Sequence, residues 1–182
     1  KSSNLPGAGT VIIRTATVSI RRLSNESFLE GNATHMLNKL NLLFLCTGNS
    51  CRSQMAEGFT RAMLGEIIEP YSAGTKKSQL DPRAVAVMQE VGIDISSHYS
   101  KMPEDIADVP FDFIVTVCST ADNNCPTLPG EATRLHAPFD DPPGLAKTAE
   151  DEETALGHYR RVRDEISNFC QTIPEKLQGS ES

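Results

Sequence analysis

Leu42-Leu43-Phe44-Leu45-Cys46-Thr47-Gly48-Asn49-Ser50-Cys51-Arg52-Ser53 decides the fold of this chain. Four apolar residues end in a small polar loop, and the loop runs into a stretch with helical spacing. An apolar run bounded this way reads as a strand buried on both faces. Strand, tight loop and helix make the first half of a parallel α/β unit. The loop sets a cysteine and an arginine, with five residues between them, at the start of that helix. Backbone N–H groups turned inward, the positive helix end and the planar Arg52 fork form a cradle for a tetrahedral oxyanion. In that field Cys46 is expected to favour the thiolate, its reactive form. Gly48 is expected to let the backbone approach the anion, and Ser53 to offer its hydroxyl to the thiolate.

Outward from this stretch, strands and helices alternate. The first strand is expected over Asn41 to Cys46 and the first helix over Arg52 to Leu64, with Met55, Phe59 and Met63 on one face. Ile67 to Ser72 reads as a second strand, closed by Ala73-Gly74. Asp81-Pro82 is a strong helix start, Asp at the N-cap and Pro in the first turn, and the helix stops at Gly92. Phe111 to Val117 and Ala132 to Ala137 read as strands three and four. A last helix over Thr154 to Leu177 carries Leu156, Tyr159, Val162, Ile166, Phe169 and Ile173 at a three-to-four-residue period. Cys170 lies among them and is expected to be a small buried hydrophobe. The pattern predicts a parallel sheet covered by helices on both faces.

Composition narrows the partners. Of 182 residues, 17 are Lys or Arg and 24 Asp or Glu, a formal net charge of −7. Residues 1–40 hold five basic residues against two acidic, leaving 12 against 22 in the rest. So acidic a body argues against nucleic acid as a partner, and no apolar run is long enough to span a membrane. Five cysteines, an odd number, fit reduced thiols in the cytoplasm better than a disulfide scaffold. No histidine has metal-ligand spacing, and no metal site is expected. A monomer is the default.

Residues 1–38 differ from residues 39–178, the expected catalytic domain. The early segment is rich in Ser, Thr, Asn and Gly, and His35-Met36 resembles a cloning junction. It reads as cloning-derived or upstream sequence, as a basic transit-like leader, or as a disordered extension.

The stretch CTGNSCRS, continuing QMAEGF, resembles the low-molecular-weight tyrosine phosphatase family and, more closely, the arsenate reductases coupled to thioredoxin. A second stretch, Cys118-Ser119-Thr120-Ala121-Asp122-Asn123-Asn124-Cys125-Pro126, is similar to the reductase pattern, and phosphatases have no need of it. The resemblance implies a flavodoxin-like three-layer fold with a four-stranded parallel sheet in the order 2-1-3-4. It also implies a three-thiol relay. Cys46 attacks arsenic, Arg52 and the loop Thr47, Gly48, Asn49, Ser50, Cys51 and Ser53 hold the oxygens, and Asp141 of Asp140-Asp141-Pro142 is the general acid. Asp140 is expected to be solvated or a local cap. Cys118 expels arsenite by attacking Cys46, and Cys125 then attacks Cys118. Residues 118–130 are expected to be mobile. Thioredoxin, reduced by NADPH through its reductase, supplies the electrons, with no bound cofactor. Phosphate and sulfate would act as mimics of arsenate, and Cys51 would stand outside the relay.

Reductases of this kind can bind potassium beside the loop with an Asn, a Glu, a Ser and an Asp. Asn49, Glu57 and Ser72 match three of those, and Lys101 stands at the fourth. A lysine cannot ligate a cation, so the site is read as a remnant in which Lys101 pairs with Glu57 and potassium has no effect. The competing reading of the chain is a tyrosine phosphatase using Cys46, Arg52 and Asp141. Pro143 stands where those phosphatases usually carry an aromatic.

Overall fold

The computed structural model describes residues 39–118 and 131–178. Four parallel strands form one sheet: β1 (Leu40–Cys46), β2 (Ile68–Gly74), β3 (Phe113–Thr116) and β4 (Thr133–His136). Their order is β2-β1-β3-β4, as the family resemblance implied. The helices are α1 (Arg52–Leu64), α2 (Pro82–Glu90), α3 (Pro142–Ala146) and α4 (Glu152–Gln178), with a single 3-10 turn over Pro103–Ile106. The short α3 and the 3-10 turn were not anticipated; each is only a turn or so long and carries no apolar period.

β1 lies inside the sheet because its side chains from Leu42 to Cys46 can all be buried at once. Leu42, Leu43, Phe44 and Leu45 are fully buried, so both faces of the strand are covered. β4, at the edge, alternates between half-buried and exposed positions. α1 packs on β1, β2 and α4, with Met55, Ala56 and Phe59 inward. Met63 does not continue that face; it is exposed beyond the edge of the core. α4 buries Tyr159, Val162, Ile166, Cys170 and Ile173, while Leu156 and Phe169 lie at the core's margin. The Cys170 thiol is buried on α4, receives the Thr60 hydroxyl at 3.5 Å, and is pushed up by burial to about 11, so it behaves as the core residue expected. Among the described residues, no helix is long and apolar enough to cross a membrane.

This sheet positions the site by its register. Cys46 pairs with Gly74 at the C-terminal end of β1, and Thr116 at the end of β3 pairs with Leu45. Ligands of open parallel sheets bind at that carboxyl edge, where the strand order reverses. Residues 1–38 and the segment 119–130, which contains Cys125 and all but Cys118 of the expected mobile stretch, lie outside the described residues.

Candidate active site

The loop after β1 is fastened by its carbonyls. Cys46 O accepts Thr75 N–H at 3.1 Å and Thr47 O accepts Lys76 N–H at 2.8 Å. Gly48 O takes the Ser100 hydroxyl at 3.1 Å and Asn49 O the Gln54 amide at 3.0 Å. Ser50 O accepts Asp81 N–H and Cys51 O accepts Met55 N–H, both at 2.9 Å. Six successive carbonyls are thus engaged by the surrounding fold. In a trans peptide the next N–H points opposite to the carbonyl, so the loop's donors turn toward its centre. An inward ring of N–H groups at the start of α1 is an anion site.

The tight corner is at Asn49, not at Gly48. Asn49 has φ +46°, in the left-handed region where Asn is favoured after Gly, whereas Gly48 does not. A Cβ on Gly48 would meet only ordinary contacts at 3.5 Å, so the fold itself does not demand glycine there. Gly74 has that constraint instead: a Cβ would lie 2.7 Å from the Asn49 nitrogen and press on the loop from below.

Asn49 is fully buried and its amide is bonded on both sides. Its Nδ2 donates to Ser53 Oγ at 2.9 Å and Ser72 Oγ at 2.8 Å, and its Oδ1 accepts from Gln54 at 3.0 Å and from Lys101 N–H at 2.7 Å. The Ser53 oxygen therefore serves the loop scaffold, and its hydroxyl hydrogen remains for another acceptor. Behind Asn49, Ser72 donates to Glu57 Oε2 at 2.5 Å and the Lys101 ammonium reaches the same oxygen at 3.4 Å. Lys101 is 9% exposed and also reaches the Tyr99 carbonyl. The expected Lys101–Glu57 pair is present, and Arg61 holds the other Glu57 oxygen at 3.1 Å.

Cys46 and Cys118 meet at the floor of a cleft of about 540 Å³. Both are free thiols, 4% and 5% exposed, and they are hydrogen-bonded to each other. Cys118 also lies 3.3 Å from the Thr47 hydroxyl. The hydrogen bond with Cys118, then burial, push the Cys46 thiol well up, while Arg52 and the Thr47 N–H pull it down. The expectation that the positive field alone favours thiolate is corrected here: the neighbouring sulfur outweighs it. Two sulfurs sharing a site keep a proton between them, and the pair's last proton is the hard one to remove.

Arg52 is 12% exposed at its side chain and uses both arms of its fork. One donates to the Phe139 carbonyl at 2.9 Å, the other to Asp141 Oδ1 at 2.8 Å. The second Asp141 oxygen accepts Gly144 N–H at 3.1 Å and caps α3. Asp140 is solvated, as expected, and is also ion-paired with Arg161 of α4 at 2.8 Å. Cys51 is 3% exposed; burial, then the Asp81 charge, push its thiol well up, which suits a bystander.

Sequence reading missed the residues that fasten the loop from a distance: Thr75, Lys76, Asp81 and Ser100. Asp81 was legible as a helix cap, but not as the donor to Ser50. His136 meets Thr116 at 2.8 Å at a strand end and His98 meets Gln54 at 3.0 Å, both away from the sulfurs' chemistry.

Comparison with known proteins adds the lineage. An arsenate reductase of Staphylococcus epidermidis is 43% identical over 141 residues, covering 78% of this chain and all of that protein. One from Staphylococcus aureus is 45% identical over 130 residues, 71% of this chain and 92% of that protein. Among solved structures, an arsenate reductase in the phosphate binding state is 32% identical with a TM-score of 0.59, covering 75% of this chain and 98% of that one. A low molecular weight protein tyrosine phosphatase from T. tengcongensis is 27% identical with a TM-score of 0.60, covering 76% and 99%. The family model of the low molecular weight phosphotyrosine protein phosphatases matches residues 41–181. With that match over most of its length, the chain belongs to the low molecular weight phosphotyrosine protein phosphatase family.

Proposed function

We infer that this protein is an arsenate reductase that turns arsenate into arsenite. The observation that carries the reading is the second thiol at the cradle. Cys118 is buried against Cys46, where a hydrolytic phosphatase needs one sulfur only.

Arsenate enters the ring of N–H groups, and Arg52 exchanges Asp141 and the Phe139 carbonyl for two arsenate oxygens. The dianion takes up the proton held between the sulfurs, so the Cys46 thiolate forms at encounter. Cys46 attacks arsenic, one oxygen leaves as water with a proton from Asp141, and a Cys46–arsenic bond results. Cys118 then attacks the Cys46 sulfur. The electron pair of the sulfur–arsenic bond passes to arsenic, which departs as arsenite, and a Cys46–Cys118 disulfide remains. Cys125 attacks Cys118, frees Cys46, and leaves a Cys118–Cys125 disulfide for a dithiol reductant of the thioredoxin type. Thioredoxin would itself be reduced by NADPH through its reductase. Reduced thiols are consistent with work in the cytoplasm. Because the cradle suits phosphate equally, weak phosphatase activity is expected as a side reaction.

The test is arsenate-dependent NADPH oxidation, run with thioredoxin and its reductase and again with glutathione and glutaredoxin. Multiple turnovers are expected with thioredoxin only. Cys125→Ser is expected to release a single arsenite and stop; full turnover by that variant would remove Cys125 from the relay.

A further inference from the structure

Behind the loop lies a group of ionisable side chains that the reaction does not use: Cys51, Asp81 and Tyr159. Asp81 faces three elements at once. Its N–H donates to the Ser50 carbonyl at 2.9 Å. Its Oδ1 accepts Arg83 N–H at 2.9 Å and caps α2. Its Oδ2 accepts the hydroxyl of Tyr159 at 2.6 Å, and Tyr159 is a fully buried residue of α4. Arg83, the nearest cation in sequence, directs its guanidinium to Glu152 at 2.7 and 2.8 Å and also reaches the Tyr159 oxygen. The carboxylate of Asp81 therefore stands close to the loop without an ion pair to Arg83. Cys51, inside the loop, lies near enough to that carboxylate that burial first and Asp81 second push its thiol up.

The peptide joining Ser50 and Cys51 links this group to the cradle. Its carbonyl points out to Asp81, so its N–H points in, at the last residue before α1. We propose that Asp81, braced by the Tyr159 hydroxyl, is a positioning residue for the oxyanion cradle: it fixes the Ser50–Cys51 peptide toward the ligand, and its charge limits how tightly the anion is held. The proposal rests on the reading of the loop as an oxyanion site. It gives Asp81 two effects of opposite sign, which separate under two conservative changes.

Tyr159→Phe keeps the ring in the core and removes the hydroxyl. Asp81 loses its shortest hydrogen bond and the peptide loosens. Binding of inorganic phosphate should weaken, by roughly three- to tenfold for a partly transmitted bond to a charged group. Asp81→Asn keeps the backbone donor and an amide able to cap α2, but removes the charge. Phosphate should bind about threefold tighter, the scale of removing one nearby unit charge in a partly solvated site. Calorimetric titration of wild type and both variants with inorganic phosphate, at fixed ionic strength and well below their melting temperatures, reads both. The KM for arsenate should move with the phosphate Kd in each variant while kcat stays within about twofold, the pattern of altered ground-state binding. Shifts in opposite directions support the proposal. Two variants indistinguishable from wild type overturn it. Two that both weaken, in step with lowered melting temperatures, also overturn it, since Asp81 would then be only a structural prop. A wild type that binds no phosphate at all sinks the cradle reading itself, and this proposal with it.

Discussion

The loop of residues 46–53 and the segment of residues 139–143 face one cleft, but they are held differently. Each loop carbonyl from Cys46 to Cys51 has a donor, and Asn49 beneath is buried with its amide fully bonded. The opposite segment is anchored at Phe139, but its two carboxylates are tied by groups in contact with water: Asp141, 54% exposed at its side chain, to Arg52, and Asp140 to Arg161. Exposed ion pairs contribute about 0–1 kcal/mol each and exchange readily, and the Asp141 cap adds about 1 kcal/mol. Buried, satisfied networks do not exchange cheaply. The binding half is therefore preset, and the acid half is free to let Arg52 go when an anion arrives. Oxyanion stabilisation works best with donors that need not reorganise, whereas a proton donor must approach and withdraw.

Four perturbations break or sharpen that contrast, the largest expected effect first. Cys118→Ala should abolish turnover in the thioredoxin assay. The same variant loses the largest influence holding the Cys46 thiol up, so alkylation of Cys46 by iodoacetamide should begin at lower pH than in wild type. An unshifted or upward-shifted profile would mean that Cys118 does not hold the proton. Arg52→Lys replaces a planar fork by a point charge, and kcat/KM for arsenate should fall roughly 100- to 1000-fold. A loss below tenfold would mean that the N–H ring alone holds the oxygens. Gly144→Ala tests the acid half alone. A Cβ there would stand 2.6 Å from Asp141 Oδ2 and displace the carboxylate from its cap. We expect kcat to drop about tenfold with the phosphate Kd unchanged; a matching loss of phosphate affinity would show the two halves to be one unit. The smallest effect concerns the binding half. With Lys101 on Glu57, replacing sodium by potassium at equal ionic strength should leave rate and melting temperature unchanged. A marked rise of either in potassium would defeat the idea that the ammonium fills the cation's place.

The same contrast explains what was legible beforehand. Strand β1, helix α1 and the Cys46-to-Arg52 spacing follow from local pattern, and α1 begins and ends where its spacing predicted. Strands β3 and β4 came out at four residues each, shorter than the expected segments; β1 runs on past both ends of β3, so it is β3 that leaves the ladder. Helix α3 hid because Pro142-Pro143-Gly144 reads as a turn; only the Asp141 cap on Gly144 N–H reveals it. The loop's fastening comes from Thr75, Lys76, Asp81 and Ser100, which are distant in sequence and, Asp81 as a helix cap apart, unremarkable in type. Gly48 drew attention as the flexible residue, yet the left-handed corner fell on Asn49, where a side chain could lock it. At Cys46 the positive field is opposed by a sulfur two residues past the end of β3, an effect that the relay order of the thiols does not reveal.

Asn49 carries one more consequence, for the lifetime of the molecule. An Asn-Ser step in an open loop ages chemically, as the serine nitrogen closes on the asparagine side chain and expels ammonia; asparagine is among the heat-labile residues for such reasons. Here the Asn49 amide is gripped by Ser53, Ser72, Gln54 and Lys101, and it cannot swing to meet the Ser50 nitrogen. The bonds that shape the cradle also shield its weakest covalent link, and peptide mapping of heat-aged protein should find Asn49 intact for as long as the fold survives.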